Sequence, residues 1–399
     1  LHFGKPQLIA ALLLLAFVLQ CVWLMAHAPL AGTELQYHAS EVVPSAQHSP
    51  LTNLLATVPA RILRVAPDAS SPALWAIMRC AFTAVGLLLG AAVWYIARRL
   101  YGNGGGYIAL ALYCFSPAAV AHSSTVGPEI VSACGAFGMM WTAIATAHTL
   151  YAPREVVLWN WKRIVLLGVT IALGVGGQFA VALLLILALA FMFYLVPHRI
   201  AAAAAIMGSG CVVALPLLLV VYGFHFGEFG ASLAHASWAE WSGETIGHAA
   251  AWKMVGIFVL GNSPGFALLL VISLMAFATW RHTRYFGTWA PLVTMAVLVV
   301  LTLLMPRAAG FSFLLLMLPF ALVFVAGVCA DLLAIQNMLG RSLITGVVIA
   351  VLITHALFSL VGLRHLSTPP PASHPAGGTP HATIHPQKQV KTGQKPAIT

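Results

Sequence analysis

The chain has 399 residues, of which 61% are hydrophobic and only 7% charged. A soluble domain carries about a quarter charged residues, so this composition excludes one and predicts an all-α polytopic membrane protein. The formal net charge of +10 is no sign of nucleic-acid binding, because most of the basic residues fall in short connections between apolar runs, where orientation signals lie.

In chain order, the apolar runs predict about eleven transmembrane helices, at 7–27, 74–97, 106–121, 128–151, 164–177, 179–196, 200–222, 252–280, 287–305, 311–334 and 342–362. Leu8–Met25 exceeds the apolar core of a signal peptide and is read as a retained first helix. The stretch 164–196 is too long for one crossing of about 20 residues, and Gly174, Gly176 and Gly177 mark the break. With a break near Gly177-Gln178, ten basic residues share one side: Lys5, Arg98, Arg99, Arg154, Lys162, Arg163, Arg199, Arg281, Arg284 and Arg341. The positive-inside rule makes that side cytoplasmic, with the N-terminus inside and the C-terminus outside. A bacterial inner membrane is the expected location. The six cysteines form no CxxC pair, which gives neither a zinc site nor a disulfide framework.

This topology yields one membrane domain, 1–362, with a long first extracytoplasmic loop (28–73) and a second extracytoplasmic segment (223–251). The second segment holds Glu228, Glu240 and Glu244 among aromatic residues that include Trp238 and Trp241. It reads as an amphipathic stretch lying on the membrane, with the tryptophans as an interfacial belt. Residues 363–399 are rich in Pro and His and are expected to be a disordered extracytoplasmic tail.

The chemistry-bearing residues gather on the outer side. Only nine acidic residues occur in the chain. Glu34 lies in the first loop, near His38 and His48, and Glu129 opens the fourth span in the run from His122 to Glu129. An acid at the start of a helix is favoured by the macrodipole, but one at this depth also carries a functional expectation. The three histidines share the outer face and could position a phosphate or a metal; chance placement is the plainer explanation for them. Gly104-Gly105-Gly106 is a turn and no phosphate loop, since no Lys-Ser/Thr follows.

The order of motifs resembles the polyprenyl-phosphate-sugar-dependent glycosyltransferases of the type C fold, on the branch of protein O-mannosyltransferases and lipid A aminoarabinose transferases. The residues that carry the resemblance are His48-Ser49-Pro50-Leu51, Arg98-Arg99 with Gly102, Ser116-Pro117, Ala121-His122-Ser123 and, conservatively, Glu129. It is clear over residues 1–200, and hydropathy alone extends it to about 335. The resemblance implies an inverting transfer from a polyprenyl-phosphate-linked sugar held in membrane lipid. Glu34 would be the general base and Glu129 its partner or a metal holder. His38, His48 and His122 would line the substrate, with Arg61, Arg64, Arg79, Lys253 and Arg307 available to the leaving phosphate. A divalent cation could share that task.

The sequence also departs from the family. Thr33 stands where relatives open with Asp, Gly177-Gln178-Phe179 holds no Lys, and Gly310-Phe311-Ser312-Phe313 holds no Arg. An alternative follows: a catalytically degenerate relative that serves as a structural or lipid-binding subunit alongside partner membrane subunits. A secondary transporter fits the helix count but lacks an inverted repeat.

Overall fold

A computed structural model describes residues 4–29, 34, 50–64, 72–151, 161–234, 246–280, 283, 285–304, 313–334 and 338–367. Every regular element among them is helical. In chain order they are α1 (Lys5–His27), α2 (Pro50–Ile62), α3 (Pro72–Cys114), α4 (Pro117–Ser123), α5 (Pro128–Thr149), α6 (Trp161–Gly177), α7 (Leu183–Leu195) and α8 (Ile200–Val221). There follow α9 (Phe226–Ala234), α10 (Ala249–Asn262), α11 (Pro264–Thr279), α12 (Phe286–Leu304), α13 (Phe313–Leu333) and α14 (Met338–Ser367).

Among the described residues, seven helices are long and apolar enough to cross a membrane, or eight if the bent pair α10–α11 counts as one span. The expected count of eleven is therefore not confirmed. Part of the difference is geometric. At 1.5 Å per residue, the 43 residues of α3 would run to about 65 Å, twice a hydrocarbon core. The helix is broken at Gly102, whose φ of 76° and ψ of −172° no helix contains, so its two arms are separate elements. Helices α6 and α7, of 17 and 13 residues, are joined by a 3₁₀ turn at Phe179–Ala182, where the glycine pattern placed a break.

Other boundaries differ from the sequence reading. The first loop contains α2, and the run 106–121 is divided at Ser116-Pro117. The apolar run 252–280 is not one straight span: it bends by 114° between Asn262 and Pro264. Helix α14 continues to Ser367, past the expected tail boundary at 363, and the tail from 368 lies outside the described residues. In the second outer segment α9 is helical, with Glu228 exposed; Trp238, Glu240, Trp241 and Glu244 lie outside the described residues.

Two helices form the centre. In α13 94% of the most apolar stretch is buried, and in α5 89%, against 17% in α14. Helix α5 can be central because small residues let α6 come close. A β-carbon built on Gly135 would run into the backbone of Gly174, and one on Gly177 into the Ser132 hydroxyl. One on Gly138 would lie 2.6 Å from the Thr170 methyl. Between apolar helices in lipid, such close backbone approach supplies the packing that water would otherwise drive. This zipper holds the end of α6 against the start of α5, and so fixes the ground on which Glu129 stands.

Candidate active site

The end of the bundle where α1 finishes and α3 and α5 begin is built around one buried ion pair. Arg79, about two turns into α3, donates from Nε to Glu34 Oε1 at 2.9 Å and from Nη2 to Glu34 Oε2 at 2.6 Å. The two side chains are 2% and 0% exposed. Glu34 Oε1 also accepts the Val126 amide at 2.9 Å. Arg79 donates further to the carbonyls of Met25, at 3.3 Å, and Pro29, at 3.5 Å. A planar guanidinium matches a carboxylate in two parallel hydrogen bonds, and burial is tolerable only because both charges are met. The pair thus ties the end of α1, the first loop, α3 and the turn before α5 into one frame.

The turn itself is held by hydroxyls. The Thr83 hydroxyl donates to the Ser123 carbonyl at 2.8 Å, Ser124 to Val120 at 2.7 Å and Thr125 to Ala121 at 3.1 Å. Gly127 is the N-cap of α5, Pro128 its first residue and Glu129 lies in its first turn. Proline there already has its φ and needs no amide partner, and the acid meets the positive end of the helix dipole. The Glu129 side chain folds back over Gly127, where a β-carbon would come within 2.5 Å of Oε2. His122, in the last turn of α4, places Nδ1 3.9 Å from Glu129 Oε2. Unlike the Glu34–Arg79 pair, these two groups are reachable: His122 is 36% exposed and Glu129 16%.

The sequence-predicted residues therefore separate. Glu34, Arg79, His122 and Glu129 come together around one turn, Glu34 bonding to Val126, three residues before Glu129. Glu34 and Arg79, however, engage each other where a general base and a phosphate clamp were expected. Each carboxylate oxygen of Glu34 carries a guanidinium donor. In this arrangement the two groups are engaged with each other and closed to solvent. Arg61 and Arg64 are exposed at the end of α2, where Arg64 terminates the helix with φ of 52°. Lys253 is exposed on α10. His38, His48 and Arg307 lie outside the described residues. No group of three or more His, Cys, Asp or Glu among the described residues could hold a metal. His122 and Glu129 supply two donors, one short of the three protein ligands of a catalytic zinc.

Two further features were not anticipated. Beside the site, Phe179, Tyr222 and Phe229 pack edge to face or tilted, with centroids 5.3–6.4 Å apart. Burial pushes the Tyr222 phenol above its usual range, only partly offset by a hydrogen bond with Ser232. On the other flank, Ser116, Asn262, Ser263 and His355 form a buried polar cluster. Its sequence signal was the turn-forming run Gly261-Asn262-Ser263-Pro264-Gly265 inside an otherwise apolar stretch.

No protein-family model matches the sequence, and no curated protein does. Solved structures do match in fold. ArnT from Cupriavidus metallidurans bound to undecaprenyl phosphate aligns with a TM-score of 0.60 and 12% identity, over 91% of this chain and 76% of that one. Its apo state gives 0.61 and 12%, over 90% and 76%. The archaeal oligosaccharyltransferase AglB from Archaeoglobus fulgidus, in complex with an inhibitory peptide and a dolichol-phosphate, gives 0.51 and 13%, over 91% and 56%. Likeness at this identity carries the fold and not its chemistry. With its helical architecture and these neighbours, the chain has the type C glycosyltransferase fold.

Proposed function

We propose that this protein is a membrane glycosyltransferase that moves a sugar from a polyprenyl-phosphate donor to a lipid, glycan or protein acceptor on the extracytoplasmic face. The observation that carries the reading is the partly open Glu129–His122 pair, set on a frame that the sealed Glu34–Arg79 pair makes rigid. The fold supports it, since structures that share it were solved with undecaprenyl phosphate and with dolichol-phosphate.

In this reading Glu129, rather than Glu34, is the general base. It takes the proton from the acceptor hydroxyl as that oxygen attacks the anomeric carbon. The bond from that carbon to the phosphate oxygen breaks, the electron pair leaves with the polyprenyl phosphate, and the configuration inverts. A positioned base contributes about 10²- to 10⁴-fold. His122 orients the Glu129 carboxylate, and Arg61, Arg64 and Lys253 are the exposed cations available to the departing phosphate.

The test is mass spectrometry of lipids bound to the purified protein, in wild type and Glu129→Gln. A polyprenyl-phosphate sugar that accumulates in the variant, with turnover down by about 10²-fold or more, supports the assignment. Turnover that survives the substitution refutes it. A second reading is favoured by one feature: Glu34 and Arg79 satisfy each other and leave little for a substrate. As a non-catalytic subunit, the protein would hold no donor in either form and would co-purify with a fixed membrane partner.

A further inference from the structure

Helix α10 is attached to the bundle in an unusual way. Its exposed side chains include Trp252, Ile257 and Leu260, and Asn262, its last residue, is the only one buried. The chain then breaks at Ser263, in extended conformation, and turns by 114° into α11. The polar side-chain atoms of Asn262 and Ser263 at this break are all engaged. Asn262 Oδ1 accepts from the Ser116 hydroxyl at 2.6 Å and from the Ala118 amide at 3.3 Å. Its Nδ2 donates to the Phe258 carbonyl at 3.2 Å. The Ser263 hydroxyl oxygen accepts the Phe266 amide at 2.9 Å and so caps α11.

His355 of α14 completes the cluster. Nε2 lies 2.9 Å from the Leu112 carbonyl and Nδ1 2.5 Å from the Ser263 hydroxyl. A carbonyl only accepts, so the proton is on Nε2, and Nδ1 receives the Ser263 hydroxyl proton. The imidazole is 1% exposed and Ser263 0%. The cluster thus joins the last turn of α3, the start of α4, the α10–α11 bend and α14.

What it touches gives it a consequence. Ser116 is the N-cap of α4, and its hydroxyl oxygen accepts from Ala119 at 3.4 Å. Asn262 therefore holds a helix of only seven residues by its Ala118 amide and its N-cap hydroxyl, and that helix carries His122 in its last turn. So short an element has little helical stability of its own, and its orientation is set by what grips its ends. Thr83 and the 124–127 turn grip one end; Asn262 grips the other.

We infer that Asn262 and His355 are positioning residues for His122, and that the α10 arm is a side gate whose swing about Ser263 alters the candidate site. Moving α10 means breaking the bonds from Asn262 to Ser116 and Ala118, which frees the start of α4 and shifts the imidazole at its end. The gating role rests on the proposed function; the mechanical link from Asn262 to His122 does not.

The test reads the link without any donor or acceptor. Purified protein in detergent is treated with diethyl pyrocarbonate, and the modification rates of His122 and His225 are followed by peptide mass spectrometry. The variants are Asn262→Ala, His355→Gln and the milder Ser116→Ala, which removes a single hydroxyl if the others fold poorly. The expected result is a change of about 2- to 30-fold at His122, the range for mechanically linked elements, with His225 unchanged. No change at His122, or equal changes at both histidines as in general loosening, overturns the inference. Because the readout needs no transfer, an inactive Glu129→Gln variant, or a protein without transferase activity, leaves it equally decidable.

Discussion

Replacing Glu34 removes the counter-charge of a guanidinium that is 2% exposed, and the size of the effect follows from what is left behind. After Glu34→Ala, Arg79 keeps only the carbonyls of Met25 and Pro29, at 3.3 and 3.5 Å, both at the long limit of a useful hydrogen bond. Two unit charges about 4 Å apart attract by about 4 kcal/mol at an effective dielectric of about 20. Leaving one member of a buried pair alone costs about 3–5 kcal/mol. The Val126 amide loses its acceptor as well, worth about 1–3 kcal/mol if it stays buried. Glu34→Ala and Arg79→Met should therefore each destabilise by about 3–5 kcal/mol. Glu34→Leu combined with Arg79→Met should cost about 1–3 kcal/mol, because no unpaired charge is then left buried and the losses are neutral hydrogen bonds such as that of the Val126 amide. The assay is reversible unfolding in mixed micelles titrated with dodecyl sulfate and followed by tryptophan fluorescence. A single variant within about 1 kcal/mol of wild type, or additivity to within about 0.5 kcal/mol, would refute the clamp. If stability held while transfer vanished in Glu34→Gln, the carboxylate would be acting chemically, as the sequence first suggested.

Two further predictions concern glycines, read by the same unfolding assay. Gly135→Ala places a methyl group against the Gly174 backbone and should cost about 1–3 kcal/mol by overpacking; Gly208→Ala, which meets nothing within 4 Å, should gain up to about 1 kcal/mol, and equal behaviour of the two would dismiss the zipper. Gly102 also has open space around it, so any loss there is backbone strain: Ala and Asn at 102 should each cost about 1–3 kcal/mol, since φ of 76° with ψ of −172° is essentially reserved for glycine. A neutral Gly102→Asn would mean that this residue is an ordinary left-handed one.

The fold class was legible because the solvent dictates it: a chain with 61% hydrophobic residues has nowhere but lipid to put them. One start was legible where it lies, at Pro128; Pro50, Pro117 and Pro264 also open helices, where proline loses least, but the apolar pattern put a loop at the first and ran single spans across the other two. The bend at Ser263 was lost because averaging hydropathy over a span hides a short polar break, although Asn-Ser-Pro-Gly is a strong turn signal. The pairing of Glu34 with Arg79 was out of reach for a different reason. The partners lie 45 residues apart across a loop, and no periodicity connects them. A cue existed nonetheless: an arginine within an apolar run requires an acid, and only nine acids were available. That demand was assigned to a phosphate instead.

The contrast between the two acids is the firmest guide to what this end of the bundle does. Glu34 is satisfied on both oxygens and closed to solvent, so its charge serves geometry. Glu129 has its helix dipole and one imidazole at 3.9 Å, longer than a hydrogen bond, and keeps an open side. One sealed and one open carboxylate, linked through a single turn, fit the proposed division into a rigid mount and a general base. Under the proposed function the missing acid at Thr33 matters less than its position in the sequence suggests, because the first loop would supply the mount, and the carboxylate proposed to meet the acceptor stands at the head of α5.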